Sequence, residues 1–254
     1  MRLTFLGTGT SQGIPVLTCP CRVCHSPDFR DKRMRTSAML EVNGKNLVFD
    51  VGPDFRWQAL RENIKKIDAV LMTHEHRDHV GGLDDIRPFN FIRKQEVDVY
   101  GTKQAFDGLK KAFYYIFEVS DYPGLPQIKL NEIDKSPFTI EDVEVTPIEV
   151  FHHKMPVMGF RIGDFTYITD AKTIPDSEKE KIKGTRTLVL NALQQHEHIS
   201  HFTLQEAVEM AKELEVERAY FTHMSHFMGR HEEVNAQLPS HIQLAYDGLS
   251  IEVE

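Results

Sequence analysis

Three histidines and one aspartate fall within six residues of this 254-residue sequence. His74, His76, Asp78 and His79 follow the apolar run 67–72 and precede a Gly-Gly pair. Neutral imidazole nitrogens and ionised carboxylates are ligands that zinc, manganese and iron accept. Residues two apart do not share a helix face, so the spacing predicts a strand end that turns into a helix. We expect His74 and His76 to bind one metal ion, and Asp78 and His79 to bind a second.

A site for two metal ions needs more ligands than this motif supplies. Three further apolar runs end in polar residues: His152 and His153, then Asp170, then His223. Polar groups at strand ends are where sites gather in layered α/β folds. Asp170 can bridge two cations with its two oxygens, His152 would complete the first metal site and His223 the second. Neighbouring residues on a strand point to opposite faces, so only one of His152 and His153 should face the metals.

The three cysteines form a second cluster. Cys19, Cys21 and Cys24 lie within six residues, and an odd, clustered trio is a poor disulfide framework but a good partial metal site. Three thiolates need a fourth ligand to close a zinc tetrahedron. His25 is nearest in sequence, but adjacent residues seldom both ligate one ion, so we expect a distant histidine. The alternative is a reduced trio in a surface loop.

Composition narrows the classes of function. The net charge is −8, and no block of five or more Lys or Arg occurs, which disfavours a broad nucleic-acid-binding face. The first residues read as a strand and turn, without the apolar run of a signal peptide, and no apolar stretch approaches membrane length. We therefore expect a cytoplasmic protein with one domain over residues 1–254.

The order of elements positions these residues. Each half of the chain has strands first and helices after, which favours two sheets packed face to face with helices on both outer faces. A helix is predicted over 80–93, where Pro88 is expected to kink or end it. Further helices are predicted over 55–61, 102–117, 176–183, 203–214 and 231–237.

The opening motif resembles the H-x-H-x-D-H motif of the metallo-β-lactamase superfamily, a group of mostly hydrolytic enzymes with one or two metal ions. The resemblance implies an α/β fold, the αββα sandwich of two mixed sheets flanked by helices. The later order of one His, one bridging Asp and one last His also matches. The segment from His152 to Phe160 resembles family segments of similar form, so we favour His152 over His153. Asp50 resembles the family's aspartate that holds the metal loop, and we expect it to accept an N–H from a ligating histidine.

The cysteines narrow the resemblance to one branch. Cys19, Cys21 and Cys24, with a late His223-x-x-His226, resemble the phosphonate-pathway cyclic-phosphate phosphodiesterases of this superfamily. That branch carries a structural zinc, which makes His226 the fourth ligand. The resemblance also implies two divalent ions in the active site, zinc or manganese, with iron equally suited to these ligands. It implies a small phosphorylated substrate, a cyclic phosphate or nucleotide-like molecule, and suggests a homodimer; we expect no nucleic-acid or membrane partner.

The leaving alkoxide of a phosphodiester needs a proton. His201 is followed by Phe202 and Thr203, and this resembles the His-x-Thr of phosphodiesterase branches, where the histidine is the general acid. Thr203 is also the start of a capping box, so a plain helix cap with an incidental histidine is the alternative. His196 and His198 are nearby and rank below His201.

Our hypothesis is therefore a metal-dependent phosphodiesterase, with His201 and Asp78 in catalysis. Two cations lower the pKa of a bridging water toward about 7, so that hydroxide is available, and clamp the phosphodiester oxygens. The alternatives are tRNA 3′ processing, a thioester or lactam hydrolase, and a non-catalytic metal-binding module. A general acid matters most when the leaving group is a poor alkoxide. A catalytic role of His201 would therefore favour the phosphodiesterase over a thioester or lactam hydrolase.

Overall fold

Two sheets of seven strands each are present in the computed structural model, which describes residues 1–118, 122 and 124–253. The first sheet has the strand order β14-β1-β2-β3-β4-β5-β6 and the second the order β13-β12-β11-β10-β9-β8-β7. The first is built from β1 (Arg2–Gly7), β2 (Ser37–Val42), β3 (Lys45–Phe49), β4 (Ala69–Leu71), β5 (Val97–Gly101), β6 (Ile128–Glu132) and β14 (Ser250–Glu252). The second is built from β7 (Phe138–Ile140), β8 (Val143–His152), β9 (Met155–Ile162), β10 (Phe165–Ile168), β11 (Thr187–Asn191), β12 (Arg218–Thr222) and β13 (Ile242–Leu244).

Both sheets are mixed. Strands β3 to β6 run parallel, as do β10 to β13, while β1, β2 and β3 pair antiparallel, and so do β7 to β10. Strand β8 runs in the same direction as β10, because each is antiparallel to β9. The carboxyl ends of β8, β10, β11 and β12 therefore lie at one edge of the second sheet, where polar residues can gather.

The central strands, such as β2, β4, β10 and β11, are largely buried on both faces, which explains their continuous apolar runs. In β3, Leu47 and Phe49 face the core between the sheets, while Val48 packs under the outer helices. Tyr167 of β10 stacks on Phe49 with ring centroids 4.4 Å apart. Truncation of Phe49 to Ala would cost about 3–5 kcal/mol through lost burial and the cavity left behind.

Helices cover the outer faces, and the αββα expectation is confirmed. Two predicted helices are wrong as continuous elements. Residues 102–117 form two helices that meet at Phe113, and residues 80–93 form no continuous helix. Helix α2 ends at Val80, a 3₁₀ turn spans Leu83–Ile86, and Pro88 lies in the first turn of α3, where its missing N–H needs no partner. The helices are α1 (Phe55–Arg61), α2 (Arg77–Val80), α3 (Arg87–Arg93), α4 (Lys103–Ala112), α5 (Tyr114–Phe117), α6 (Asp176–Ile182), α7 (Leu204–Glu213) and α8 (His231–Asn235).

Candidate metal centre

The predicted ligands come together where strands of the two sheets end. His74 follows β4, His152 ends β8, Asp170 follows β10 and His223 follows β12. Asp78 and His79 lie on the short helix α2, which follows the loop after β4. Asp170 and His223 have positive φ, +56° and +57°, a conformation that costs non-glycine residues about 1–3 kcal/mol and clusters at functional sites.

The donor atoms of four of these residues are at metal-site spacing. Asp170 Oδ1 lies 3.3 Å from His79 Nε2 and 3.2 Å from His223 Nε2. Asp78 Oδ2 lies 3.4 Å from His79 Nε2 and 3.6 Å from His223 Nε2. Ligand bonds of about 2.0–2.1 Å around a tetrahedral ion would put neighbouring donors about 3.4 Å apart. The residues therefore fit a divalent cation, and the buried Nε2 atoms of His79 and His223 have no hydrogen-bond partner within the described chain.

A second group shares Asp170. His74 Nε2, which is also buried and lacks a hydrogen-bond partner among the described residues, lies 3.7 Å from Asp170 Oδ2. His74, His76 and Asp170 have donor atoms within 4.8 Å of one another. The His152 ring lies 5.2 Å from that of His76, and its Nδ1 is 2.9 Å from the carbonyl oxygen of Ser200. A bond from Nδ1–H to that oxygen leaves Nε2 of His152 as the atom with a free lone pair.

His153 has a different position. It lies in the tight turn after β8, is exposed, and has a φ of +57°. The structure thus brings His152, and not His153, to the cluster.

Asp50 positions two of the histidines. Its Oδ1 accepts a hydrogen bond from the Thr73 backbone N–H at 2.8 Å, and its Oδ2 accepts from Thr73 Oγ1 at 2.8 Å and from His79 Nδ1 at 2.7 Å. Because the Thr73 hydroxyl donates to Asp50, its oxygen accepts from His74 Nδ1, 2.9 Å away. In their neutral forms, both histidines therefore carry the proton on Nδ1 and present Nε2 as a lone pair. The sequence did not lead us to predict a role for Thr73. Its position between the strand and the first predicted ligand, His74, was a signal that it could orient that ligand.

Charges in the cluster are strongly coupled. Burial raises the pKa of Asp170, but the His223 and His79 imidazoles lower it, and the net pKa is well below its usual range. Burial raises and His79 lowers the pKa of Asp78 in the same way, again with a net fall. Burial lowers the pKa of His79, but the Asp170 and Asp50 carboxylates raise it well above its usual range. A divalent cation among these donors would replace the His79 proton as the compensating charge.

His201 lies beside the cluster on the loop that leads into α7. Its ring is 4.4 Å from that of His152 and 4.9 Å from that of His223. It is buried, which lowers its pKa to about 3. His198 lies 5.2 Å from His201 and is half-buried, and His196 is exposed.

The helix cap expected at this point is also present. Thr203 Oγ1 accepts from the Glu206 backbone N–H at 3.2 Å, and Glu206 Oε2 accepts from the Thr203 N–H at 2.8 Å. The cap fixes the backbone beside His201, and it leaves the predicted general-acid role of His201 a prediction.

The three cysteines surround His226. Its Nδ1 lies 3.2 Å from Cys19 Sγ, 3.3 Å from Cys21 Sγ and 3.7 Å from Cys24 Sγ. Bonds of about 2.3 Å to sulfur and 2.0–2.1 Å to nitrogen would put such donors about 3.6 Å apart around zinc. Burial raises the pKa of Cys21, but hydrogen bonds from the Cys24 backbone and from His226 lower it to about 6; burial raises the pKa of Cys24 to about 11. The four side chains fit a structural zinc.

The segment that links the histidine–aspartate cluster to the cysteine cluster is short. His226 is three residues beyond His223, and the Ser225 hydroxyl caps the 3₁₀ turn that begins at His226.

In the part of the chain that the structure describes, no helix has the length and apolar character needed to cross a membrane.

Comparison with known proteins gives a family match. The family described as "Beta-lactamase superfamily domain" matches residues 45–224. A solved structure described as a new diphosphatase from the PhnP family has 41% sequence identity to this chain. The two structures match with a TM-score of 0.93 over 100% of this chain and 98% of that chain. The zinc-bound PqqB of Methylobacterium extorquens shares the fold at 17% identity, with a TM-score of 0.79 over 100% of both chains.

Two curated relatives are longer than the segment they share with this chain. An octanoyltransferase of Porphyromonas gingivalis is 41% identical over 252 residues, which are 98% of this chain and 51% of that protein. A ribonuclease Z of Lactiplantibacillus plantarum is 27% identical over 65% of this chain and 49% of its own length. The chain thus spans about half the length of these curated relatives.

Proposed function

The chain belongs to the β-lactamase superfamily and, within it, to the PhnP family, and on that premise we propose that this hydrolase is a metal-dependent phosphodiesterase. Its substrate is a small phosphorylated molecule with a cyclic or ribose-linked phosphodiester, or with the diphosphate linkage named for the PhnP-family relative. The observation that carries the proposal is the shared carboxylate of Asp170 between two groups of imidazoles, with His201 beside both. We further propose a single domain that acts as a homodimer.

Seven residues would hold two divalent ions, zinc or manganese. Bound there, the ions would act as Lewis acids on the phosphoryl oxygens and lower the pKa of water. Asp50 keeps His79 in the tautomer that ligation needs, and Thr73 does the same for His74. The first ion would be held by His74, His76, His152 and Asp170, and the second by Asp78, His79, His223 and Asp170; Cys19, Cys21, Cys24 and His226 would hold a separate structural zinc.

His201 would hold the proton for the leaving oxygen. It is buried within ring contact of His152 and His223, and its Nδ1 has no hydrogen-bond partner in the described residues. An anionic phosphoryl group beside the ring would offset the burial that disfavours the imidazolium form. General acid catalysis of this kind contributes about 10²–10⁴-fold.

The test compares two leaving groups in His201→Ala. 2′,3′-Cyclic AMP expels an alkoxide that needs a proton, whereas bis(p-nitrophenyl) phosphate expels a phenolate that needs little help. We expect kcat for the cyclic substrate to fall about 10²–10⁴-fold, with a much smaller loss for the nitrophenyl diester. His198→Ala is the matched control and should retain both activities. Equal losses on the two substrates, or none, with metals still bound, would exclude the role of His201.

Relatives named ribonuclease Z favour tRNA 3′ processing as a second candidate. The net charge of −8 counts against it, because affinity for a nucleic-acid backbone comes from Lys and Arg at many phosphates. Cleavage of a 3′-extended tRNA at a rate above that for small diesters would support this candidate. The transferase name belongs to a protein about twice as long as the matched segment, and we do not extend it to this chain.

A further inference from the structure

A basic cavity lies outside the metal centre, in the loop region between β1 and β2. Its volume is about 410 Å³, and its lining includes Phe29, Lys32, Arg33, Arg35, Arg61 and Asp247. With Asp54, the lining holds four cationic side chains and two carboxylates, in a protein whose net charge is −8. The cavity therefore concentrates positive charge on an acidic molecule.

The cavity is separate from the metal centre. The backbone at Gly9 is bridged on one side to Met224, the neighbour of His223, and on the other side to Arg35. One stretch of backbone thus stands between the metal ligand and the cavity lining. A ligand in the cavity would occupy a site of its own.

Arg33 is a buried charge without a carboxylate contact. It is 4% exposed, and its Nη1 donates to Thr8 Oγ1 and to the Ala245 carbonyl, both at 2.7 Å. Its Nη2 faces His231 Nδ1 at 3.2 Å. Asp247, Asp31 and Asp28 act on its charge only at longer range, and no carboxylate among the described residues lies within ion-pair distance. A buried cation is costly unless its charge is compensated, and an anion in direct contact would add to the compensation from these distant carboxylates.

The cavity carboxylates are already engaged. Asp247 Oδ1 accepts from the Thr8 N–H and hydroxyl, and its Oδ2 accepts from the Met34 N–H. Asp54 accepts from the Arg35 guanidinium at 3.1 Å. Lys32 Nζ bonds only the Cys24 carbonyl, at 3.0 Å, within the described chain. Lys32 and Arg33 thus remain as cations whose charge no carboxylate contact neutralises.

An aromatic ring lies at the same cavity. Phe29 is 66% exposed, and its ring meets Tyr246 edge to face at 5.7 Å. An exposed ring beside unpaired cations suits a ligand with a planar base and a phosphoryl group, because bases stack on aromatic side chains. We propose that this cavity binds a nucleoside monophosphate, with its phosphoryl group at Lys32 and Arg33 and its base at Phe29. The proposal does not depend on the activity of the metal centre.

The fluorescence of Trp57 can report ligand binding in the cavity. Trp57 is the only tryptophan, is 64% exposed, and lies on α1 three residues after Asp54 and four before Arg61, so it shares their side of the helix. AMP, adenosine and inorganic phosphate can therefore be titrated against Trp57 fluorescence in the metal-loaded enzyme. We expect AMP to bind at least 10-fold more tightly than either fragment.

Two variants test the assignment. Lys32→Glu should weaken AMP binding at least 10-fold and leave hydrolysis of bis(p-nitrophenyl) phosphate unchanged, whereas Lys110→Glu, the same charge change on exposed α4, should alter neither. Phe29→Ala should weaken AMP binding without changing the affinity for phosphate, and it does not touch the Cys24 loop that Lys32 contacts. Zinc content, measured on each variant, shows whether that loop is intact.

Several results would overturn the proposal. One is AMP affinity that is the same in wild type, Lys32→Glu and Phe29→Ala. Another is an AMP response that is retained in these variants but lost in His74→Ala, which would place the ligand in the metal centre. Equal affinity for AMP and inorganic phosphate would show that the base does not bind at Phe29, which would also contradict the proposal.

Discussion

Asp50→Asn tests whether the carboxylate of Asp50 orients His79 for metal binding, because it changes the hydrogen bonds of the side chain and keeps its size. The side chain is fully buried and accepts three hydrogen bonds, from the Thr73 N–H, the Thr73 hydroxyl and His79 Nδ1, at 2.7–2.8 Å. Asparagine has the same shape but replaces one acceptor oxygen with a donor. Whichever way the amide is turned, at least one of these donors faces an N–H group.

The expected cost has two parts. An unpaired buried donor costs about 1–3 kcal/mol of folding free energy. If the amide NH₂ faces His79, the imidazole shifts its proton to Nε2, which then cannot bind a metal. Loss of such an outer partner typically lowers metal affinity about 10–100-fold, or about 1.4–2.7 kcal/mol. We expect the loss at the second proposed ion, which Asp78, His79, His223 and Asp170 would hold.

Competition with a chromophoric chelator measures this affinity, and urea unfolding measures the stability. Asp142→Asn is the matched control: it makes the same chemical change at an exposed carboxylate that pairs with Lys45, and it should leave metal binding unchanged. Wild-type affinity for two ions in Asp50→Asn would refute the reasoning about the His79 tautomer.

Three further predictions concern other residues. His152→Ala should lose one divalent ion and most of the turnover, while His153→Ala should keep both; metal analysis and kcat decide, and the reverse pattern would contradict the placement. Cys21→Ser should lose one zinc per chain and lower the thermal midpoint, as His226→Ala should, and retention of that zinc in both would rule out the four-ligand site. Burial and the neighbouring Arg33 lower the pKa of His231 from 6.5 to about 4, so the folded state loses stability as pH falls through this window, by about 1–2 kcal/mol between pH 7 and pH 5 after allowance for solvent screening. In urea unfolding, the free energy of unfolding should change less between pH 7 and pH 5 in His231→Gln than in the wild type. Equal changes in the two proteins would disprove the link to His231.

Local patterns predicted much of the fold and the candidate site. The apolar runs that end in His152, Asp170 and His223 indicated strands with polar ends, and the structure brings those ends together. Strand alternation reduced His152 and His153 to one candidate, because side chains on a strand alternate between faces. The apolar runs are continuous since each sheet is covered on both sides.

Other features depend on contacts between distant residues. Thr73 orients His74 only because Asp50 arrives from the neighbouring strand, and pairing of β3 with β4 is not visible in either segment alone. The predicted helix over 80–93 is wrong since Pro88 starts a helix here rather than interrupting one. The Cys trio required a partner about two hundred residues away, which spacing could not identify and only the family resemblance indicated.

Arg33 shows the same limit for the basic cavity. Its contacts to Thr8, Ala245 and His231 join three separate parts of the chain. No local pattern marks an arginine as buried and without a carboxylate contact, so the sequence alone did not predict the cavity.

The most direct test of the proposed function measures metal content and diester hydrolysis on the same preparation. We predict two exchangeable divalent ions and one tightly held zinc per chain, with hydrolysis of bis(p-nitrophenyl) phosphate that is lost on chelation and restored by zinc or manganese. A chain that binds both exchangeable ions but hydrolyses neither this diester nor 2′,3′-cyclic AMP would contradict the account.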